Sequence, residues 1–268
     1  MKVAALQMVS GTAVEGNLRS ARELLERAAR SGCELAVLPE YFCLLGRKDT
    51  DKLAVRERIG DGPIQHFLAT SARELGLWVV GGTLPLEADD ENHVLNTNLV
   101  YSPQGDCVAR YDKIHLFRFD NGNESYDESR VIQPGQELRT FELNARDGQL
   151  WRIGLSVCYD LRFPELYRRL GADLLLVPSA FTHTTGQAHW EALLRARAIE
   201  NLAYVVAPAQ GGVHENGRRT WGHSMVIDPW GEIIALQVEG AAAVVATLER
   251  SRLAQVRRQL PALEHRVL

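Results

Sequence analysis

Short apolar runs of strand length alternate with amphipathic helical stretches along the whole 268-residue chain, with no low-complexity linker, internal repeat or shift in composition between them. Interspersed hairpin signals imply a mixed sheet system covered by helices rather than a purely parallel doubly wound sheet. The simplest reading is one α/β domain spanning residues 1–268.

The elements are marked locally. Leu18, Ala21, Leu25 and Ala28 form an apolar stripe with Gly32 as a stop, and the run Leu35 to Leu38 behind it reads as a strand ending at Pro39-Glu40. A second helix starts at Pro63, presents Ile64, Phe67, Leu68, Ser71 and Leu75, and stops at Gly76. Strands are expected at 78–83, 174–177 and 204–207. A hairpin is expected across Ser102-Pro103-Gln104-Gly105, a helix from about Ala188 to Leu202, and a strand pair around Asp228-Pro229-Trp230-Gly231. Ala192, Ala196, Ile199 and Ala203 read as one stripe of that helix, with Glu191 and Arg195 placed to pair.

Composition narrows the class of partner. Hydrophobic residues make up 46% and the formal net charge is −4, with cations scattered rather than blocked, so neither nucleic acid nor an anionic membrane is favoured and a small molecule is. The start Met1-Lys2-Val3-Ala4-Ala5-Leu6-Gln7 reads directly as a strand rather than a leader, and no apolar run reaches membrane-spanning length. A cytoplasmic protein with four free thiols, Cys33, Cys43, Cys107 and Cys158, is the expectation. Their spacing fits neither a disulfide framework nor a zinc site, and the eight histidines form no HxxxH or HExxH pattern. No GxGxxG or Walker loop occurs, and the pairs Gly81-Gly82 and Gly211-Gly212 read as bulges or turns.

Three segments share one arrangement, in which an apolar strand delivers a reactive residue to the sheet edge: Ala36-Val37-Leu38-Pro39-Glu40, Tyr111-Asp112-Lys113-Ile114-His115 and Val157-Cys158-Tyr159-Asp160. A cysteine at a strand-to-helix junction faces backbone N–H groups that lower thiol pKa and can hold an oxyanion. Hydrolysing an amide takes a nucleophile, a proton carrier and positive charge at the carbonyl oxygen, which Cys, Glu and Lys can supply. A papain-like Cys-His site is the rival, but it leaves Glu40 and Lys113 unexplained.

These motifs, together with Pro178-Ser179-Ala180-Phe181, His189-Trp190-Glu191, Arg195 to Asn201 and Gly222 to Gly231, make the chain closely resemble the nitrilase superfamily of carbon-nitrogen hydrolases, and within it the Nit amidase branch. The resemblance covers essentially the whole chain. It implies an α-β-β-α sandwich, no cofactor and no metal, and a Glu40-Lys113-Cys158 triad with Cys158 as nucleophile, Glu40 as general base and then acid, and Lys113 as oxyanion stabiliser beside the Tyr159 N–H. It implies an auxiliary glutamate, Glu128 in preference to Glu124, and hydrolysis of a small linear amide to carboxylate and ammonia through a cysteine thioester. Deaminated glutathione leads as substrate, with 2-oxoglutaramate or 2-oxosuccinamate next; a nitrilase or a silent binding module follows. Arg162 would brace the turn or meet an anionic substrate, Phe181 and Thr182 would form a pocket wall, and Arg195 and Arg197 could lie at the interface of a homodimer or larger homo-oligomer.

Overall fold

A computed structural model describes residues 1–267; Leu268, the end of the expected 1–268 domain, lies outside the described residues. The first half lays down β1 (Lys2–Gln7), α1 (Val14–Arg30), β2 (Leu35–Val37), the one-turn α2 (Asp51–Ala54), α3 (Pro63–Leu75), β3 (Trp78–Val80), β4 (Leu84–Glu87), β5 (Val94–Tyr101) and β6 (Cys107–Asp112). A small hairpin, β7 (Arg118–Asp120) and β8 (Ser125–Asp127), and the short β9 (Ile132–Gln133) follow. The second half adds β10 (Thr140–Asn144), β11 (Leu150–Leu155), α4 (Pro164–Leu170), β12 (Leu174–Leu176), α5 (His183–Asn201) and β13 (Tyr204–Ala207). It closes with β14 (Gly211–Val213), β15 (Arg219–Trp221), β16 (Ser224–Ile227), β17 (Ile233–Gln237), β18 (Ala242–Thr247) and α6 (Arg250–Gln259).

Two mixed sheets result. The first runs β18-β1-β2-β3-β5-β4, with β6 and β9 also paired to β5; the second runs β10-β11-β12-β13-β16-β17. In each, a parallel trio (β1-β2-β3 and β11-β12-β13) is flanked by antiparallel strands.

Strand periodicity explains the layering. Val3, Ala5, Leu35 and Val37 face the second sheet in a core shared with Leu155, Leu176 and Val206, whereas Ala4, Leu6, Ala36 and Leu38 face α1 and α3, packing on Leu25 and Leu68. A strand buried on both faces reads as continuously apolar, which is why these runs look unpatterned in the sequence. Trp190, Leu194 and Ala198 of α5 cover the second sheet, completing the α-β-β-α sandwich. Among the described residues no helix is long and apolar enough to cross a membrane.

Several local expectations hold. The hairpin turns at Gly105 between β5 and β6, α3 begins with Pro63 and ends at a left-handed Gly76, and β16 pairs antiparallel with β17. Others change. Helix α5 starts at His183 rather than about Ala188, because Thr182 caps it by accepting from Thr185 N. Its outer face carries Ala192 and Ile199, the latter 45% exposed, while Trp190, Leu194 and Ala198 form the buried face. Arg197, expected to be available to an interface, is buried, and its guanidinium donates twice to the Leu161 carbonyl at 3.0 and 2.6 Å. Arg195 remains exposed and pairs with Glu191.

Candidate active site

The site lies at the seam where the carboxyl ends of β2 and β6 in one sheet meet those of β11 and β12 in the other. Glu40 follows β2, and its approach is set by backbone contact: Leu38 N donates to Val80 O, and the next turn passes so close that a Cβ on Gly82, at φ +52°, would lie 2.0 Å from Pro39 O. Lys113 follows β6, with its N–H donating to Asn96 O at 3.0 Å. Cys158 opens a 3₁₀ turn (Cys158–Arg162) three residues beyond the end of β11, its N–H donating to Pro178 O at 3.0 Å. Its φ of +49° is a left-handed conformation that an L-residue holds only when its surroundings enforce it.

The structure brings Glu40, Lys113 and Glu128 together. Lys113 Nζ, fully buried, donates to Glu40 Oε1 at 2.9 Å and to Glu128 Oε1 and Oε2 at 2.9 and 2.8 Å. Glu40 also accepts from Asn96 Nδ2 at 3.0 Å and, through Oε2, from Ala180 N at 2.9 Å across the seam. Glu128 accepts from the Tyr41 hydroxyl at 2.7 Å and from Phe117 N at 2.7 Å. Burial alone would discharge Lys113, but Glu128 and Glu40 outweigh it and hold its pKa well above the ordinary lysine value. Burial likewise opposes the charge on Glu128, and Lys113 prevails, lowering its pKa. Glu124, the other acidic candidate, lies apart, accepting from Thr184 Oγ1 at 3.2 Å.

Cys158 departs from expectation. Burial first, and then the charge of Glu40, hold its thiol well above the ordinary value despite the opposing pull of Lys113. The resting nucleophile is therefore a thiol beside a base rather than a preformed thiolate.

Phe117, Tyr159, Arg162, Phe181 and Thr182 line a narrow pocket beside Cys158, with free space of only about 10 Å³. Phe181 packs against Trp190 with ring centres 4.8 Å apart and planes tilted by 53°, and the Arg162 guanidinium lies 5.7 Å from both the Tyr159 and Phe181 ring centres. The nearby histidines are engaged elsewhere: His115 with Asp160, His189 with Arg162, His214 with Ser10 and Thr220.

Sequence reasoning missed Tyr41, Asn96, Asp160 and the Ala180 N–H. Asn96 and Asn98 alternate within a buried strand, a pattern that itself asks what the polar groups face. The backbone N–H of Ala180 leaves no trace in side-chain identity.

Two facing sheets with a cysteine, a lysine and two carboxylates at their seam define a hydrolase of carbon–nitrogen bonds, and the chain belongs to the carbon-nitrogen hydrolase family, whose model matches residues 2–258. It is 45% identical over 270 residues to the deaminated glutathione amidase of Synechocystis, spanning 98% of this chain and 97% of that one. The crystal structure of the Caenorhabditis elegans NitFhit protein superposes with a TM-score of 0.90 at 38% identity, over 99% of this chain and 64% of that longer one. A CN-hydrolase superfamily protein from Xanthomonas campestris, solved with an arsenic adduct in its active site, gives 0.87 at 32% identity over 100% and 97% of the two chains.

Proposed function

We propose that this chain is a cysteine amidase of small linear 2-oxo acid amides, with deaminated glutathione as its substrate. The observation that carries this reading is the Lys113 ammonium shared between Glu40 and Glu128 beside a buried thiol.

In this reading Glu40 takes the Cys158 proton as sulfur attacks the amide carbonyl, so no free thiolate is needed. The ammonium of Lys113 and the N–H of Tyr159 receive the oxyanion. Glu40 returns the proton to the departing nitrogen, the C–N bond breaks, and a thioester to Cys158 remains. Glu40 then activates water, the thioester is hydrolysed, and the sulfur recovers its proton. Glu128 fixes Lys113 and keeps the charge of the site balanced.

The chemistry of the lining beside Cys158 supports an acyl chain with a carboxylate end, since Arg162 is its cationic wall and Phe117, Phe181 and Tyr159 are its apolar ones. Deaminated glutathione and 2-oxoglutaramate would leave the same 2-oxoglutaryl thioester and differ only in the nitrogen released: a cysteinylglycine amine from the first, ammonia from the second. The name of the Synechocystis relative favours the first.

The same reading takes residues 1–268 as one cytoplasmic domain with no cofactor or nucleic-acid partner, paired as a homodimer or larger homo-oligomer. The exposed outer stripe of α5 near Trp230, itself 54% exposed, supports the pairing. The decisive assay offers both substrates in competition and measures 2-oxoglutarate, cysteinylglycine and ammonia separately. Dominant ammonia release transfers the assignment to an omega-amidase; no thioester on Cys158 with either compound removes the amidase reading.

A further inference from the structure

Asp160 is fully buried, two residues past the nucleophile, and its carboxylate accepts four hydrogen bonds. Oδ2 receives the Tyr111 hydroxyl at 2.6 Å and Val157 N at 2.8 Å; Oδ1 receives His115 N at 3.1 Å and faces His115 Nδ1 at 2.7 Å. Tyr111 and His115 stand two residues to either side of Lys113. Val157 is the residue whose peptide enters the left-handed bend at Cys158. One carboxylate thus ties the segment carrying the ammonium to the turn carrying the sulfur, across the two sheets. The His115 ring, stacked on Phe163 at 3.7 Å and 8°, closes the same clamp from the far end of the turn.

We propose that Asp160 is a positioning residue that sets the separation between the Lys113 ammonium and the Cys158 sulfur. This rests on the reading of Lys113 and Cys158 as catalytic. A buried carboxylate can bind four converging donors because each bond is charge-assisted and the low local dielectric strengthens all of them. Its amide isostere cannot: one oxygen remains an acceptor, while the NH₂ group is aimed at two other donors. The turn and the lysine segment then lose their common anchor while the surrounding core is unchanged.

The test compares Asp160→Asn, Tyr111→Phe and Cys158→Ala with the unaltered protein. It measures kcat and KM for deaminated glutathione and the rate of Cys158 alkylation by iodoacetamide, a displacement that builds no oxyanion. Asp160→Asn is expected to lower kcat about 100-fold, the loss typical of an ångström-scale misplacement, with KM and alkylation little changed. Tyr111→Phe should show the same split in smaller measure. Turnover and alkylation falling in parallel would make Asp160 a purely structural residue and overturn the proposal, as would an unchanged kcat. If Asp160→Asn does not fold, Tyr111→Phe decides, since it removes one oxygen at the edge of the clamp. Turnover retained by Cys158→Ala defeats the underlying amidase reading and this proposal with it, a result distinct from any of the others.

Discussion

Lys113 and Glu128 form a two-pronged ion pair, with Nζ 2.9 and 2.8 Å from the two carboxylate oxygens in a site closed to solvent on the lysine side. Among the described residues, neutralising Glu128 leaves Glu40 as the one carboxylate paired with that ammonium and draws Lys113 and Glu40 into a tighter pair, away from the work of proton transfer. Glu128→Gln is therefore expected to lower kcat by on the order of 10²-fold with KM little changed. Tyr41→Phe, which removes one donor to Glu128, should cost about 0.5–1.5 kcal/mol of that arrangement and reduce kcat several-fold. Steady-state kinetics of the two variants check both.

Glu40 raises the Cys158 thiol pKa while Lys113 lowers it. Removing the carboxylate charge in Glu40→Gln leaves only the lowering influence of those two. Iodoacetamide should then alkylate Cys158 at lower pH than in the unaltered protein, although amide turnover falls roughly 10²–10⁴-fold for want of the base. An alkylation profile shifted to higher pH contradicts the assignment of Glu40 as the dominant charge on the thiol.

The left-handed backbone at Cys158 makes glycine the better-tolerated replacement. Cys158→Gly and Cys158→Ala should both lack turnover, but the glycine variant should be about 1 kcal/mol more stable than the alanine one, with a melting temperature about 2–4 °C higher. Thermal unfolding of the pair gives the comparison directly.

Gly82 has the opposite constraint. A methyl group there would meet Pro39 O at 2.0 Å in a φ of +52°, so Gly82→Ala should lose about 3 kcal/mol of stability and displace Glu40 with it. Urea unfolding and kcat should decline together in this variant.

His214 is buried, and burial pulls its pKa below the ordinary imidazole value. The unfolded chain takes up a proton that the folded protein refuses, so this residue's contribution to stability is intact above about pH 6.5 and falls away as the pH drops below it. Urea midpoints measured from about pH 7.5 to about pH 5.5 should decline less steeply in His214→Gln than in the unaltered protein.

What the sequence made legible was whatever local chemistry dictates. Pro63 and Gly76 bracket a helix by their own backbone preferences, and the strand-then-reactive-residue pattern placed Glu40, Lys113 and Cys158 at the edges where they lie. The choice between Glu124 and Glu128 needed the β7–β8 hairpin, whose pairing delivers Glu128 to Lys113 and leaves Glu124 beside Thr184. The opening turn of α5 was hidden because His183, Thr184, Thr185 and Gly186 are weak helix formers, rescued here by the Thr182 cap. The raised thiol pKa was also hidden, because burial and the proximity of Glu40 arise only when the two sheets meet. Four hydrogen bonds converging on Asp160 from three residues in two segments have no signature in a run that reads simply Tyr-Asp-Leu-Arg.

Strand β18 pairs along its whole length with β1, from Lys2 opposite Thr247 to Gln7 opposite Ala242. Strand β1 must therefore wait for the last of the described strands before its edge is covered. Glu40, Lys113 and Cys158 have all been synthesised long before Ala242 emerges, yet the sheet that carries two of them still has an open edge beside β1. A nascent chain halted short of residue 242 would hold a full set of reactive side chains on an unfinished scaffold, which ties the onset of catalysis to the synthesis of β18.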